Sequence, residues 1–437
     1  MTTYISTKNL SVKNAEDFIA SISNATDNVY FSIAHVSPWA NDASPEQATD
    51  TTQYAVNFWR SAIAGKKVTA GNMSLVVPRI NWATGTVYAQ YTDTGTNYGN
   101  NFYVMNTTYD VYKCISNNNG ANSTVMPTYT ATNVTNQEVD GYIWKYMFTV
   151  STADRNNYLT ANWMPVKHLN ADDGSAQWHV QQDAIDGAIN FIQLTNSGNN
   201  FTNSSNIIVT INGDGTSANV TASINVTSQT VSNLTIISPG YGYHFANVSI
   251  TGGAGSNAAA NAVISPFGGH GYNAVSELGA STLMINISLQ SDENGYVPVQ
   301  NDYRQFVLLR NPVTYGSNTA FANLRFKQYQ TVTVSTGAGD YNLDEYVFQG
   351  PSLSAATYSG KVINWDSTNN KVELTETVGN ITSASLQGFT SGTQRFVINS
   401  SQTDLKLYQG EILYIENITP IQRANNQTEN FKVLLRF

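Results

Sequence analysis

The chain has 437 residues, enough for two to four domains that each bury a core of their own, and its one cysteine, Cys114, excludes an intrachain disulfide or a cysteine-rich zinc site. Charged residues make up only 12%, the formal charge is −9 and no Lys/Arg cluster occurs, which argues against nucleic-acid binding. No run of roughly twenty apolar residues is present and the start MTTYISTKN lacks the basic-then-apolar order of a secretion signal, so the expectation is a soluble chain made in a cytoplasm, with no membrane partner.

In chain order, Val12, Ala15, Phe18, Ile19 and Ile22 fall at helical spacing after Ser11, a good N-cap. Val29, Phe31 and Ile33 then alternate as in a strand. Ala55, Phe58, Trp59, Ala62 and Ile63 predict a second helix with one apolar face and Gly65 as its stop. Strands follow at 73–77, 102–105, 111–115 and 142–150, punctuated by Gly, Asn and Pro. In the last of them Tyr142, Trp144, Tyr146, Phe148 and Val150 share one face.

Between 185 and 268 the composition shifts to Gly, Ala, Ser, Thr, Asn and Ile, which marks a separate module. It holds an internal repeat: LTNSGNNF leading to VTINGDGTSANV is similar to IISPGYGYHF leading to VSITGGAGSNAAA, about forty residues on. Each copy reads as three strands joined by Gly turns. A third change near 321 opens a run of short strands, with GKVINWDSTNNKVELTE shaped as a hairpin around a five-residue loop, and the segment to 404 could close into a small barrel or sandwich. EILYIENITP and FKVLLRF read as two final strands.

Chemistry-bearing motifs are few. SPFGGHGYNA, at 265–274, lacks the Gly-Lys-Ser/Thr of a phosphate loop and reads as a flexible connector. His35, His168, His179, His244 and His270 show no metal-ligand spacing, and Asp214 lies in a turn without the alternating carboxylates of a calcium loop. No metal or cofactor is therefore expected. Asp302, Asp340, Asp344, Glu345 and Glu373 could be nominated as a glycosidase pair, as they could in any β-protein. Cys114, in the strand YKCI, is poorly placed as a nucleophile and reads as a small buried residue. The 25 tyrosines and 7 tryptophans suit cores and interfaces, with a glycan-binding surface as the alternative and the Gly-rich module as its seat.

An ordered series of segments resembles the baseplate wedge subunit of T-even-like contractile-tailed phages, gene product eight of that tail. It begins at SPWA with Pro38 and Trp39, runs through the helix bearing Trp59, and reaches VVPRINW with Pro78, Arg79 and Trp82. DGYIWKYMFTV follows, with Asp140, Gly141, Trp144 and Tyr146, then WMPV at 163–166. YRQFVLLRNP carries Arg304, Gln305, Asn311 and Pro312. GEILYIENITPIQRANNQTENFKVLLRF closes the series with Gly410, Glu411, Tyr414, Glu416 and Asn417.

The resemblance divides the chain into a wedge core at 1–184, 269–320 and 405–437, with the Gly/Asn-rich repeat module, 185–268, and the barrel-like module, 321–404, as insertions. It implies a mainly β fold: a two-layer β-sandwich core with a few short helices and long loops. It also implies a homodimer that binds neighbouring wedge proteins in a virion tail assembled in the host bacterial cytoplasm, without catalysis or cofactor. The alternative function is a peripheral tail adhesin for host glycan. Prolines at strand ends and large tryptophan faces specify a scaffold in either case.

Overall fold

The computed structural model describes residues 5, 7–133, 135–299 and 301–437. With 43% strand and 13% helix the protein is mainly β, built from antiparallel sheets with a few short helices. Two compact units share the chain. One holds residues up to Ala15, Ser74–Met284 and Leu434–Phe437, and the other holds Glu16–Met73 and Ile285–Val433.

In the first unit, strands Tyr103–Met105, Asp110–Ser116, Ile143–Thr149 and Thr135–Gln137 form one antiparallel sheet in that order. Alternation places Tyr142, Trp144 and Tyr146 on one face beside Tyr88, Tyr112 and Cys114, with Val180 of the helix Ala176–Gln182 covering them. Tyr142 and Trp144 stack at 5.4 Å and 18°. Burial pushes the Cys114 thiol pKa up, so it stays a neutral core residue.

The Gly-rich module of this unit contains six strands, Ile189–Asn199, Ile207–Gly213, Thr216–Asn225, Thr230–Tyr241, Ala246–Gly252 and Ser256–Ile264. They pair first with sixth, second with fifth and third with fourth. The repeat thus becomes a local two-fold. Thr210 and Ser249, the same position of the two copies, lie directly opposite each other. Ala218 faces Pro239 just as Ala258 faces Ser197. Each copy also supplies an aromatic ring to a glycine notch of the other: a Cβ on Gly215 would lie 2.4 Å from the Tyr243 ring, and one on Gly255 2.3 Å from the Phe201 ring. Glycine is required there because the ring occupies the place of a side chain.

In the second unit a five-stranded sheet runs Arg325–Lys327, Ala62–Lys67, Val29–Ala34, Asp302–Arg310, Glu411–Gln422. The helix Thr52–Ser61 lays Phe58 and Trp59 on one face, against Tyr30, Val307, Leu309 and Phe326. On the other face Phe431 meets Phe31 at 4.8 Å and Phe306 at 5.7 Å. Covered on both sides, Val29–Ala34 is buried at all six positions, not at every second one as its alternation suggested.

Two helix boundaries differ from expectation for tertiary reasons. The first helix, Lys8–Ser23, starts before Ser11, and the Thr7 hydroxyl accepts from the Leu10 amide in its place. The second helix ends at Ser61, because Ala62 turns extended and the chain enters a strand paired with Val29–Ala34. Gly65 therefore sits in a strand and is no helix stop: a Cβ there would lie 2.2 Å from the Phe326 ring.

Within the same unit, strands Gln330–Val334, Lys371–Gly379, Tyr358–Asp366, Tyr346–Gln349, Ser385–Gly388 and Gln394–Ser401 close into a barrel in that order. Val332, Val347, Val362, Val372, Leu374 and Leu386 fill it. Its hairpin pairs Asp366 with Lys371, leaving a loop of 367–370, one residue shorter than the pattern indicated, because Asp366 accepts from the Thr368 and Asn369 amides and still pairs.

Candidate functional site

Three motif residues of the second unit, Pro38, Trp39 and Gln305, border one cleft of about 390 Å³ together with Tyr54, Arg60 and Glu376. The Trp39 ring donates through Nε1 to the Ile418 carbonyl at 3.0 Å. Gln305 is buried in its strand and donates through Nε2 to Asn417 Oδ1 at 2.8 Å, while Asn417 Nδ2 reaches the Glu46 carbonyl and the Tyr54 hydroxyl, both at 2.9 Å. Gln305 Oε1 is buried without a partner among the described residues, an unmet acceptor at the floor of the cleft.

Elsewhere in the unit the other motif residues hold backbone and charge in place. Arg304 donates to Asp302 at 2.7 Å and lies 3.4 Å from Asp42. Trp59 is in the helix core. Asn311, left-handed at φ 48°, accepts from the Asn28 amide and donates to Asp27. Gly410 adopts φ 130°, where a Cβ would lie 3.0 Å from Pro312 Cα. Glu411 pairs with Arg310, and Tyr414 donates to Glu416 while its ring stacks on Phe306.

The motif residues of the first unit are likewise structural in their contacts. Pro78 ends a strand and its carbonyl accepts from Tyr103. Arg79 donates to the Thr160 carbonyl, and Trp82 Nε1 to Ser123. Burial pushes the Asp140 pKa up, but amides of Thr124, Val125 and Tyr142 outweigh it and hold the carboxyl below its usual range. Gly141 has φ 85° and no room for a Cβ beside Asn118. Trp144 and Tyr146 are in the aromatic core.

The carboxylates nominated for glycoside chemistry are all engaged. Asp302 and Asp344 meet on opposite sides of His35, at 3.0 and 2.6 Å, with Lys361 3.1 Å from Asp344. Burial disfavours the imidazolium, yet hydrogen bonds to Asp302 and Asp344 outweigh it and hold the His35 pKa at about 9. Asp340 accepts from Trp365, Glu345 from five groups of Asn342, Thr390 and Ser391, and Glu373 from Asn364. Among the described residues no group of three His, Cys, Asp or Glu side chains is arranged to hold a metal ion.

Sequence reasoning missed the buried charges. His35 gave no spacing signal because its partners lie some 270 and 310 residues away. In the first unit Lys113 and Lys145 face each other across paired strands, and Lys113 pairs with Glu277 where both are fully buried. Burial lowers the pKa of both lysines, that of Lys145 to about 8. Lysine inside two otherwise apolar strands, VYKCI and YIWKYM, was the available signal.

The loop 265–274 is a correction: it is pinned, not a flexible connector. Gly268 donates to Asp186 and Gly271 to Glu277, and Gly269, left-handed at φ 97°, lies against the Ile185 backbone where a Cβ would sit 2.5 Å away. No protein-family model matches the chain, and no curated protein matches it.

Proposed function

We propose that the chain is a structural subunit of the baseplate wedge of a contractile phage tail, which binds a second copy of itself and neighbouring wedge proteins and carries no catalysis. The observation that carries this reading is the hydrogen-bonded junction of Trp39, Gln305 and Asn417 with Ile418, Tyr54 and Glu46. It joins three sequence segments that each bear the resemblance and that lie up to about 380 residues apart. Residues shared for the sake of a scaffold should contact one another, whereas residues shared for a reaction should converge on a substrate with free functional groups.

A surface for self-association is also available. Among the described residues strand Glu411–Gln422 stands at the margin of its sheet and pairs on one side only, with Ile412, Leu413, Tyr414 and Ile415 half-buried along it. Edges of this length and apolarity are usually covered by another chain or blunted by charge. Subunits of a tail hold one geometry and then repack on contraction, for which large β-surfaces with few charges are suited.

Two measurements test the reading. Density for intact tail tips should place the chain in the wedge; a position confined to fibre tips would overturn it. Light scattering at micromolar concentration should give a dimer, and a strictly monomeric chain would remove the self-association.

A further inference from the structure

A groove of about 1360 Å³ opens within the first unit between the loop 90–98, the N-terminal helix and one end of the Gly-rich module. Small-molecule pockets occupy roughly 300–1,000 Å³, so this volume suits an extended ligand. Three features of its surface define the ligand's chemistry.

Aromatic rings stand out at the rim. Phe267 is 86% and Phe245 59% exposed, and His244 lies 6.4 Å from the Phe267 ring. These rings are held in place by their backbone: Asp214 accepts from the His244 and Phe245 amides, and Asp186 from the Gly268 amide. Keeping phenyl rings in water forgoes the free energy of their burial, an arrangement that calls for a face to stack on them.

Hydroxyls and amides line the walls, among them Thr92, Asn97, Gln193 and Asn261. Asp93 spends one carboxylate oxygen on the Ile264 amide and Asp186 spends one on Gly268, so each keeps an oxygen with no other hydrogen bond among the described residues. At the floor the buried Lys113–Glu277 pair reaches the groove beside Tyr91, whose ring lies 4.6 Å from the lysine nitrogen.

Charge along the groove nearly cancels. Lys8 and Lys113 face Asp93, Asp186 and Glu277, which offers no cationic track for a polyanion. A protein partner would meet concave walls of amide and hydroxyl where the centre of an interface is ordinarily filled by large side chains. A sugar chain presents both complements at once: apolar C–H faces for the rings, and rows of hydroxyls for amides and carboxylates. We infer that this groove binds a neutral oligosaccharide, with Phe245 and Phe267 as its stacking platforms.

The inference is independent of the assembly role and is tested on the full chain. Affinity electrophoresis through gels containing dextran, mannan or bacterial O-antigen polysaccharide, together with a microarray of bacterial surface polysaccharides, should show retention on at least one neutral glycan. Phe245→Ala with Phe267→Ala should weaken that binding about tenfold or more with the thermal midpoint unchanged, since tenfold corresponds to about 1.4 kcal/mol. Ile208→Ala, exposed on the same module and outside the groove, should bind as the parent does. No retention on any of these glycans, retention confined to anionic ones and abolished by salt, or undiminished binding by the double variant would overturn the inference.

Discussion

The barrel at Gln330–Ser401 and the module at Ile189–Ile264 are both small antiparallel β-structures of six strands, yet they are held together by opposite means. The barrel closes on itself, so no strand edge is left and a plug of Val and Leu side chains fills the interior. The module is three two-stranded ribbons whose interior residues are mostly half-buried, and two aromatic rings are seated in it where glycines leave space. A core can be made by adding side chains or by removing them at two symmetric places.

The largest effects should break each solution at its centre. Phe201→Ala removes one seated ring and should destabilise the module by about 3–5 kcal/mol, and Leu374→Ala should cost the barrel about 2–5 kcal/mol, both read by denaturant unfolding. Hydrogen exchange then sharpens the contrast. Leu374→Ala should raise exchange throughout the closed barrel, while Phe201→Ala should act on the ribbons that share the notch.

His35 comes next, because it ties Asp344 of the barrel segment to the sheet of the same unit. Its folded pKa, about 9, is raised above the ordinary value of about 6.5. The imidazolium's contribution is therefore complete below about pH 6.5 and is lost as pH rises through about 9, at most roughly 3 kcal/mol from the linkage relation. The pKa values of Asp302 and Asp344 are lowered against the pull of burial, so their share is present above about pH 4 and lost as pH falls. His35→Gln should flatten the alkaline limb of the stability profile of the second unit. An unchanged limb would mean that the imidazolium is not what the carboxylates hold.

The two-fold of the module makes a subtler prediction. Gly215→Ala and Gly255→Ala each push a methyl into a ring and should cost similar amounts, about 1–3 kcal/mol apiece. Unequal costs would show that the halves share a path but not a packing. The smallest effect is expected at His244→Ala, whose contact with Asp214 is solvent-exposed: no measurable change in the denaturant midpoint, in contrast to His35.

Much of the fold was legible because periodicity and turn residues act locally. The strand around Trp144, the duplicated module and the hairpin at Tyr358–Gly379 all followed from patterns within about forty residues. Helix ends were less legible: Gly65 looks like a stop only until the Phe326 ring that fills its side-chain space is seen. The candidate site was legible as residue identities and not as contacts. Trp39, Gln305 and Asn417 could be named from sequence, but the unmet oxygen of Gln305 and the contact of Tyr54 with Asn417 arise only where distant segments meet.

By itself the sequence determined that the protein is mainly β, that it has one inert thiol, and that one of its modules is a repeat, since composition and short-range spacing set backbone preference and side-chain alternation. Tertiary structure alone decided that the repeat closes as a two-fold with exchanged rings, that Asp302 and Asp344 serve a histidine, and that lysines lie buried beside Glu277. The reason is physical. Burial, pairing of charge and filling of space depend on partners hundreds of residues away, and no local pattern encodes which of them will arrive.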